Sequence, residues 1–339
     1  MSIQILTYND ILAEQWQALI ESSPTATWFQ SPEAYQFYAS LPNEMKPFAV
    51  GVTEDNCLLG VVVGYITQEK NALKQFFTRR AIIVGGPLLA PNISEEALTV
   101  LLKAVTNTNR QWPIANSPIY IETRNFNDYS RWKSVFEANG FAYQPHLNFH
   151  IDTTSAELVE SQLGKNRKRD IKTSIRDGAT IIENPTIEQV RSYYQLLKQL
   201  YTTKIKTPLF SLHFFEQLYA QPGGRFILVE LNGEIIGGTV CVELPGKCLY
   251  EWFVCGRDGE WKSIFPSSLA TYAGIRYAAD HGCSRFDMMG AGKPDEAYGV
   301  RDFKARFGGE QVEHGRFLCV RKPLLYAIGK LGVKILKKR

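Results

Sequence analysis

Lys304 has the sequence neighbours that best suit a residue with a chemical role. It lies in Phe303–Gly309, FKARFGG, shortly after the glycine-rich segment Met289–Pro294, MGAGKP. Phe303 and Phe307 are four residues apart, so they share one face of a helical turn. A lysine on such an anchored turn can hold its charge over a cleft at the end of a sheet, where it would bind a phosphate or a developing oxyanion. Spacing alone equally allows an amphipathic turn with Lys304 in solvent.

Two acids, Glu122 and Asp287, close predicted buried strands at residues 118–122 and 284–289. A carboxylate at a strand end can serve as a proton acceptor in catalysis. Each acid also has an arginine two residues away, Arg124 and Arg285, so a simple ion pair is the alternative for both.

Several further side chains are candidates for substrate binding. Residues 165–176 carry six basic residues against one acidic residue, and Arg167 and Arg169 in this segment could bind a donor or carrier phosphate. Arg306 follows Lys304 closely, and Tyr250 lies in a predicted strand that could line the cleft. A solvated basic helix face and a core tyrosine are the alternatives.

Composition excludes several classes of protein. The 339 residues are 45% hydrophobic and 21% charged, which predicts a soluble chain of about two domains. No apolar run is long enough to span a bilayer and no secretory signal opens the sequence, which predicts a cytoplasmic protein. The six cysteines form no Cys-x-x-Cys pair and the five histidines show no ligand spacing beside them, so we expect neither a metal nor a cofactor. No Ser-His-Asp or Cys-His arrangement is visible, which argues against a covalent acyl-enzyme.

The sequence contains the same pattern twice. Residues 48–63 and 226–240 both read as a β-hairpin around a short polar turn, with Gly60 and Gly237 at matching positions of the second strand. Each hairpin is followed by a strand, a helix and a short buried strand. Hairpins followed by helices indicate an α+β fold rather than alternating βαβ units, and the repetition indicates a duplicated domain.

The repeat predicts domains at residues 1–153 and 154–322, followed by a C-terminal helix at residues 323–339. The strand 147–151 closes the first domain in this prediction, and a basic helix over 156–176 opens the second. In the C-terminal helix, apolar residues form a stripe opposite four lysines, which is typical of a helix lying peripherally on an anionic membrane. A helix packed on its own domain is the alternative. The apolar positions are Leu324, Leu325, Ile328, Leu331 and Ile335, and the lysines are Lys330, Lys334, Lys337 and Lys338.

The order of the motifs resembles that of the Fem-type peptidyltransferases over nearly the whole chain. The segment Phe303–Gly309 is similar to the Phe-Lys-x-x-Phe-Gly signature of this family. Four earlier segments are similar to family motifs in the same order: residues 26–32 (ATWFQSP), 85–87 (GGP), 165–172 (KNRKRDIK), and 201–204 (YTTK) with Pro208 and residues 214–215.

The resemblance implies two tandem GNAT-like domains with mixed, mostly antiparallel sheets flanked by helices. It also implies transfer of an aminoacyl or acyl group, from aminoacyl-tRNA or acyl-CoA, onto an amine of a nucleotide- or lipid-linked cell-envelope precursor of the peptidoglycan type. Lys304 would stabilise the oxyanion, Glu122 would lie near the acceptor, and Asp287 would be the matching acid of the second domain.

Two departures from the family pattern bear on the donor. The long helical hairpin of some members is missing, and residues 257–266 (RDGEWKSIFP) lack the glycine-rich loop that binds CoA pyrophosphate at a helix N-terminus. We therefore keep two alternatives: a CoA-dependent N-acyltransferase of envelope polysaccharide or glycolipid biosynthesis, and a non-catalytic binding protein with the same fold.

Overall fold

The computed structural model describes residues 2–106 and 118–337, with side chains up to Lys330. The chain divides into two compact units. The first consists of Met1–Pro145 together with His314–Arg339, and the second of His146–Glu313.

The first unit is built on a mixed sheet flanked by helices. Its strands follow the spatial order β1-β2-β3-β4-β6-β15-β7, and β5 pairs with β3. The strands are β1 (Ile3–Thr7), β2 (Met45–Glu54), β3 (Cys57–Thr67), β4 (Ala81–Gly85), β5 (Leu88–Leu89), β6 (Tyr120–Asn125), β7 (Ala142–Gln144) and β15 (Arg316–Val320). The helices are α1 (Ala13–Ser22), α2 (Pro32–Ala39), α3 (Ala72–Thr78), α4 (Glu95–Thr106), α5 (Lys133–Ala138) and α12 (Pro323–Lys337).

The second unit repeats this plan with the strand order β9-β10-β11-β12-β13-β8-β14. Its strands are β8 (Leu147–Asp152), β9 (Thr180–Ile182), β10 (Gly224–Leu231), β11 (Glu234–Leu244), β12 (Cys248–Gly256), β13 (Arg285–Asp287) and β14 (Glu310–Glu313). Its helices are α6 (Ala156–Gln162), α7 (Lys165–Arg176), α8 (Ile187–Leu200), α9 (Leu212–Tyr219), α10 (Pro266–Asp280) and α11 (Gly299–Ala305). A π-helical turn, Tyr201–Ile205, extends α8.

The two sheets match strand for strand, which confirms the predicted α+β fold. The parallel pairs β4–β6 and β12–β13 occupy the same place in each order, and the neighbouring pairs are antiparallel. The hairpins match in detail, because Gly60 pairs with Val52 and Gly237 with Val229, each directly before a register shift. Both turns have two residues with positive φ, Asp55 and Asn56 in one and Asn232 and Gly233 in the other, as two-residue hairpins prefer.

The structure corrects the predicted boundaries at residues 153 and 322. Strand β8 belongs to the sheet of the second unit, between β13 and β14, although the sequence placed it in the first. Strand β15 belongs to the first sheet, between β6 and β7. The first sheet therefore takes β15 from the part of the chain that follows all strands of the second sheet, and β8, the first strand of the second unit along the chain, pairs between two of its last strands.

The single helix predicted over 156–176 is wrong, because the chain breaks at Leu163 and Gly164 into α6 and α7. Gly164 is the N-cap of α7 and its N–H donates to the Arg306 carbonyl at 3.2 Å.

Part of the stripe predicted for the C-terminal helix lies outside the described residues. This applies to the side chains of Leu331, Lys334, Ile335 and Lys337, and to the whole of Lys338.

Helices cover both faces of the second sheet. A Cβ on Gly237 would meet Pro266 of α10, whereas one on Gly238 would meet Tyr193 of α8. Helix α10 therefore packs on one face and α8 on the other. This placement determines which side chains of β12 and β13 share a surface.

Candidate functional site

Lys304 is buried inside the second unit, with 7% of its surface exposed. The sequence predicted a side chain directed at an open cleft, and the structure instead turns the ammonium inward. Its Nζ donates to the carbonyl oxygens of Met288 and Gly290, the latter at 2.7 Å. Burial lowers the pKa of Lys304, while the nearby carboxylates of Glu251 and Asp287 oppose that shift.

The loop that binds Lys304 has an unusual backbone. Met289, Gly290 and Gly292 all have positive φ, and for a methionine this conformation is uncommon. Asn148 holds the loop through its Oδ1, which accepts the Gly290 N–H at 2.8 Å. Arg301 of α11 donates from Nε to the Ala291 carbonyl at 2.9 Å. These contacts turn the Met288 and Gly290 carbonyls towards Lys304.

Lys304 lies where β12 and β13 stop pairing. The two strands pair over three residues only, ending at Tyr250 opposite Asp287, although β12 continues to Gly256. The first residues beyond this pair are Glu251 and Met288, and Lys304 interacts with both. The Lys304 side chain thus lies in the opening where β12 and β13 stop pairing.

Glu251 is a buried carboxyl on the α10 face of the sheet. Its Oε1 accepts hydrogen bonds from Thr271 at 2.9 Å and Thr239 at 3.3 Å, and its Oε2 has no hydrogen-bond partner within the described part of the chain. Burial raises the pKa of Glu251, and the Lys304 ammonium opposes this shift. Glu251 is therefore the carboxyl group with the largest electrostatic effect on Lys304.

Asp287 lies on the opposite face and is fully buried in a polar network. Phe286 packs against Gly274 of α10, so the alternation of the strand directs Asp287 away from that helix. Its Oδ1 accepts from Asn148 Nδ2 at 2.7 Å, and its Oδ2 lies 3.0 Å from His150 Nε2. Although burial alone would raise it, contact with His150 and Asn148 holds the pKa of Asp287 below its ordinary value. The carboxylate is therefore ionised and orients the imidazole.

Arg167 is enclosed by the aromatic residues that flank Lys304. Its guanidinium carbon lies 4.7 Å from the ring centroid of Phe303 and 4.5 Å from that of Phe307. One Nη donates to Ser268 Oγ and the other to the Phe303 carbonyl at 3.5 Å. The contact is cation–π stacking inside the fold. Arg167 thus fixes α11 against the start of α10, whereas the predicted phosphate role would need an accessible guanidinium.

The remaining predicted binding residues of this unit differ in accessibility. Arg169 has a side chain 67% exposed, and Arg306 is exposed at the C-cap of α11. Tyr250 is fully buried beside Asp287, and burial raises its pKa well above the ordinary value. Tyr250 therefore lies inside the fold at the last paired position of β12 and β13, while the two arginines face solvent.

Glu122 and Arg124 lie together in the first unit. Glu122 is inside β6 rather than at its end, because the strand continues to Asn125. Its Oε1 accepts from Arg124 Nε at 2.7 Å and from Arg316 Nη1 at 3.2 Å. Although burial would raise it, these two guanidinium groups lower the pKa of Glu122. The carboxylate is a counter-ion, and the pair of arginines around it keeps an excess of positive charge.

The motif residues of the first unit form a buried polar contact rather than an open site. Gln30 Nε2 donates to the carbonyls of Gly86 at 2.8 Å and Gly85 at 3.2 Å. Tyr129 Oη donates to the carbonyls of Gly85 at 2.9 Å and Pro87 at 2.6 Å. These hydrogen bonds hold residues 28–31 (WFQS) and residues 85–87 (GGP) in place inside the first unit, so the two segments have a structural role.

The helix N-termini that could bind a pyrophosphate are occupied by the protein's own groups. At α10, Asp258 Oδ1 accepts the Ser267 N–H at 3.1 Å, and Arg167 binds Ser268. At the corresponding helix α4, Glu95 and Glu96 are in the first turn. A carboxylate at either position would repel a phosphate and competes for the same N–H groups.

Sequence reasoning missed His150, Asn148 and Arg316. All three lie on β8 or β15, the strands that the predicted boundaries assigned to the other domain. The alternation of Asn148 and His150 on one strand was the available signal, because it puts both on the same face. Within residues 2–106 and 118–337, no group of three or more His, Cys, Asp or Glu side chains is arranged to hold a metal.

Residues 165–304 match the family described as an acetyltransferase (GNAT) domain. No curated protein sequence matches the chain significantly. Among solved structures, FemX has a TM-score of 0.72 at 14% identity, over 97% of this chain and 99% of that chain.

Two further structures share the architecture of the whole chain. The C-terminal domain of an Agrobacterium fabrum protein assigned as a lysylphosphatidylglycerol synthetase has a TM-score of 0.57 at 12% identity, over 95% of this chain and 96% of that chain. A tandem GNAT protein from the clavulanic acid biosynthesis pathway has a TM-score of 0.54 at 10% identity, over 94% of this chain and 98% of that chain. The chain therefore has the tandem GNAT-like fold of the Fem-type transferases, as the resemblance predicts.

Proposed function

We propose that the protein transfers an aminoacyl or acyl group onto an amine of a cell-envelope precursor. The observation that carries the proposal is the buried Lys304 ammonium at the opening between β12 and β13, with the His150–Asp287 pair on the opposite face of the same sheet. The names of two structural neighbours support the envelope substrate class, since one is FemX and the other is assigned to lysylphosphatidylglycerol synthesis.

In this mechanism the amine nitrogen attacks the acyl carbonyl carbon, and the carbonyl oxygen becomes an oxyanion. Lys304 stabilises that oxyanion, because a buried ammonium acts far more strongly in a water-poor site than in solvent. The amine proton passes to His150, which is 12% exposed, whereas Asp287 is fully buried and orients the ring. The C–N bond forms, the bond from the carbonyl carbon to the leaving group breaks, and the leaving group takes a proton.

An aminoacyl ester such as aminoacyl-tRNA is a better donor for this site than acyl-CoA. Asp258 occupies the Ser267 N–H at the start of α10, and Glu95 and Glu96 put negative charge into the first turn of α4, so both helix N-termini disfavour a pyrophosphate. The exposed basic side chains of α7, such as Arg169, supply the positive surface that an RNA backbone needs. In the first unit taken by itself, Arg124 and Arg316 are our candidates for binding an anionic ligand.

The test is a transfer assay with two donors, a mixture of aminoacyl-tRNAs and acetyl-CoA, and amine-bearing envelope precursors in nucleotide- and lipid-linked form. Lys304→Met keeps the aliphatic stem but removes the charge, so turnover should fall by about two to three orders of magnitude. Lys304→Arg should restore it only in part, because a planar guanidinium cannot replace a compact ammonium between two carbonyls.

Glu137→Gln is the matched control, since Glu137 is an exposed residue of α5 whose nearest cation is Lys133 at 4.0 Å. It should leave turnover unchanged. Equal losses from Lys304→Met and Glu137→Gln would move the active site elsewhere. Turnover with acetyl-CoA alone would establish the CoA-dependent alternative, and absence of transfer with specific precursor binding would establish the non-catalytic one.

A further inference from the structure

Helix α3 has its polar and apolar sides reversed relative to a helix of a soluble domain. Its buried side chain is Gln75, which donates from Nε2 to the Thr67 carbonyl at 2.8 Å. Its large apolar residues Leu73, Phe76 and Phe77 point outwards, with 69%, 51% and 43% of their surfaces exposed. Surface helices normally bury their apolar stripe, so the exposed apolar face of α3 is suited to contact with an apolar partner.

Helix α12 lies beside α3 in the first unit and extends the same surface. Leu324 and Ile328 of α12 are 75% and 49% exposed. Lys322 joins the two helices, because its Nζ lies 6.0 Å from the ring centroid of Phe76. The start of α12 is held in place by Tyr326, whose ring packs edge-on against Tyr120 at 5.5 Å. We call the five exposed apolar residues of α3 and α12 the apolar patch.

The charge around the apolar patch is strongly positive. Residues 68–80 and 321–339 contain eleven basic residues and one acidic residue, Glu69. The whole chain has a net charge of +4, so the rest of the molecule carries a net charge of −6. Positive charge is thus concentrated on the two segments that also expose aromatic and aliphatic side chains.

We propose that the apolar patch, together with the basic residues of segments 68–80 and 321–339, forms a docking surface for an anionic lipid bilayer. Phe and Leu side chains enter the boundary between headgroups and acyl chains, while lysines and arginines bind the lipid phosphates. The negative remainder of the protein disfavours any other orientation on the same membrane. None of the described helices is long and apolar enough to cross a bilayer, so the contact is peripheral.

The experiment measures binding of the full chain to vesicles of phosphatidylglycerol and phosphatidylcholine, with vesicles of phosphatidylcholine alone as the reference. Phe76→Ser combined with Phe77→Ser should weaken partitioning by about 30-fold, because two rings leave the bilayer boundary. Lys70→Glu combined with Lys330→Glu should weaken it by at least about tenfold at low salt, and less at high salt. These residues are exposed, so melting temperatures should stay near that of the wild type.

Two matched leucine substitutions distinguish specific binding through the apolar patch from nonspecific hydrophobic adsorption. Leu73→Ser should weaken vesicle binding by about fivefold, whereas Leu12→Ser should have no effect, although Leu12 is 63% exposed. Failure of the wild type to prefer anionic vesicles, or equal binding by the Phe76/Phe77 variant, would overturn the proposal. A dimer that this variant dissociates, with vesicle binding unchanged, would assign the surface to contact between two copies. The assay reads binding only, so its outcome is independent of whether the transfer reaction is correct.

Discussion

At the scale of single residues, the second unit brings two oppositely charged groups to the two faces of one opening. The Lys304 ammonium is bound by backbone carbonyls on the α10 face, and Asp287 orients His150 on the other. Neither charge has the solvation it would have in water, and Glu251 is the carboxyl group with the largest electrostatic effect on Lys304. This free-energy cost of removing charges from water is expected where a site needs a charge before the substrate binds.

The pH dependence of kcat/KM should report on Lys304. Activity should fall at alkaline pH, because burial places the pKa of Lys304 below its ordinary 10.5, and deprotonation removes the charge that stabilises the oxyanion.

Substitutions separate the roles of Lys304 and His150. Lys304→Arg should lose the alkaline fall, because a guanidinium stays protonated over the measured range. His150→Gln keeps a polar side chain but should lower activity by about two orders of magnitude and keep the alkaline fall. Activity of His150→Gln equal to that of the wild type would remove His150 from the mechanism.

At the scale of elements, the hairpins and the helices that follow them were predictable because their signals are local. Asn232-Gly233 and Asp55-Asn56 allow the positive φ values of a two-residue turn, so β2–β3 and β10–β11 could be located within a few residues. The break between α6 and α7 was not visible in the same way. Gly164 interrupts the helix where its N–H meets the Arg306 carbonyl, a contact between residues far apart in sequence.

Helix α7 combines one buried arginine with an exposed basic face. Arg167 is stacked on Phe303 and Phe307, so the aromatic spacing that indicated a support for Lys304 also supports a second cation. The sequence identified the right aromatic pair but could not show that its closest charged partner comes from another helix. The exposed face of α7, including Lys165, Arg169 and Lys172, is left for an external anion.

Binding of tRNA should therefore be weak and strongly dependent on salt. With about four phosphate contacts, log K should fall with log salt concentration with a slope of about −3. Lys165→Glu, Arg169→Glu and Lys172→Glu together should abolish most of this binding in a filter or anisotropy assay. Lys198→Glu on α8 is the control and should change it little, because that helix face carries no comparable cluster. A tight complex that does not depend on salt would contradict this role of α7.

At the scale of the whole molecule, the order of the strands in each sheet departs from their order along the chain. Strand β8 carries Asn148 and His150 into the second sheet, and β15 carries Arg316 to Glu122 in the first. The sequence repeat correctly predicted two similar domains. It could not predict the pairing of β8 and β15, because a repeat only compares segments in their order along the chain. The candidate site was incomplete in the prediction for the same reason.

This arrangement gives a sharp expectation for truncation. Strand β15 pairs with β6 on one side and β7 on the other, and Phe317 stacks on Phe136 at 4.1 Å. Ending the chain after Glu313 removes the strand that joins β7 to β6 and should unfold the first unit, leaving a single transition for the second. Ending it after Lys322 keeps β15 and loses mainly the contact of Tyr326 with Tyr120, worth about 1 kcal/mol, so the melting temperature should fall by only about 2–4 °C.

Calorimetry and hydrogen exchange on the two truncated chains measure this difference directly. Slow-exchanging amides of β4 and β6 should be lost after truncation at Glu313 and kept after truncation at Lys322. A peptide of residues 314–322 added to the shorter chain should restore part of that protection, because it can pair again between β6 and β7. Equal stability of the two truncated chains would show that β15 is dispensable to the first sheet, and the assignment of His314–Arg339 to that unit would then be wrong.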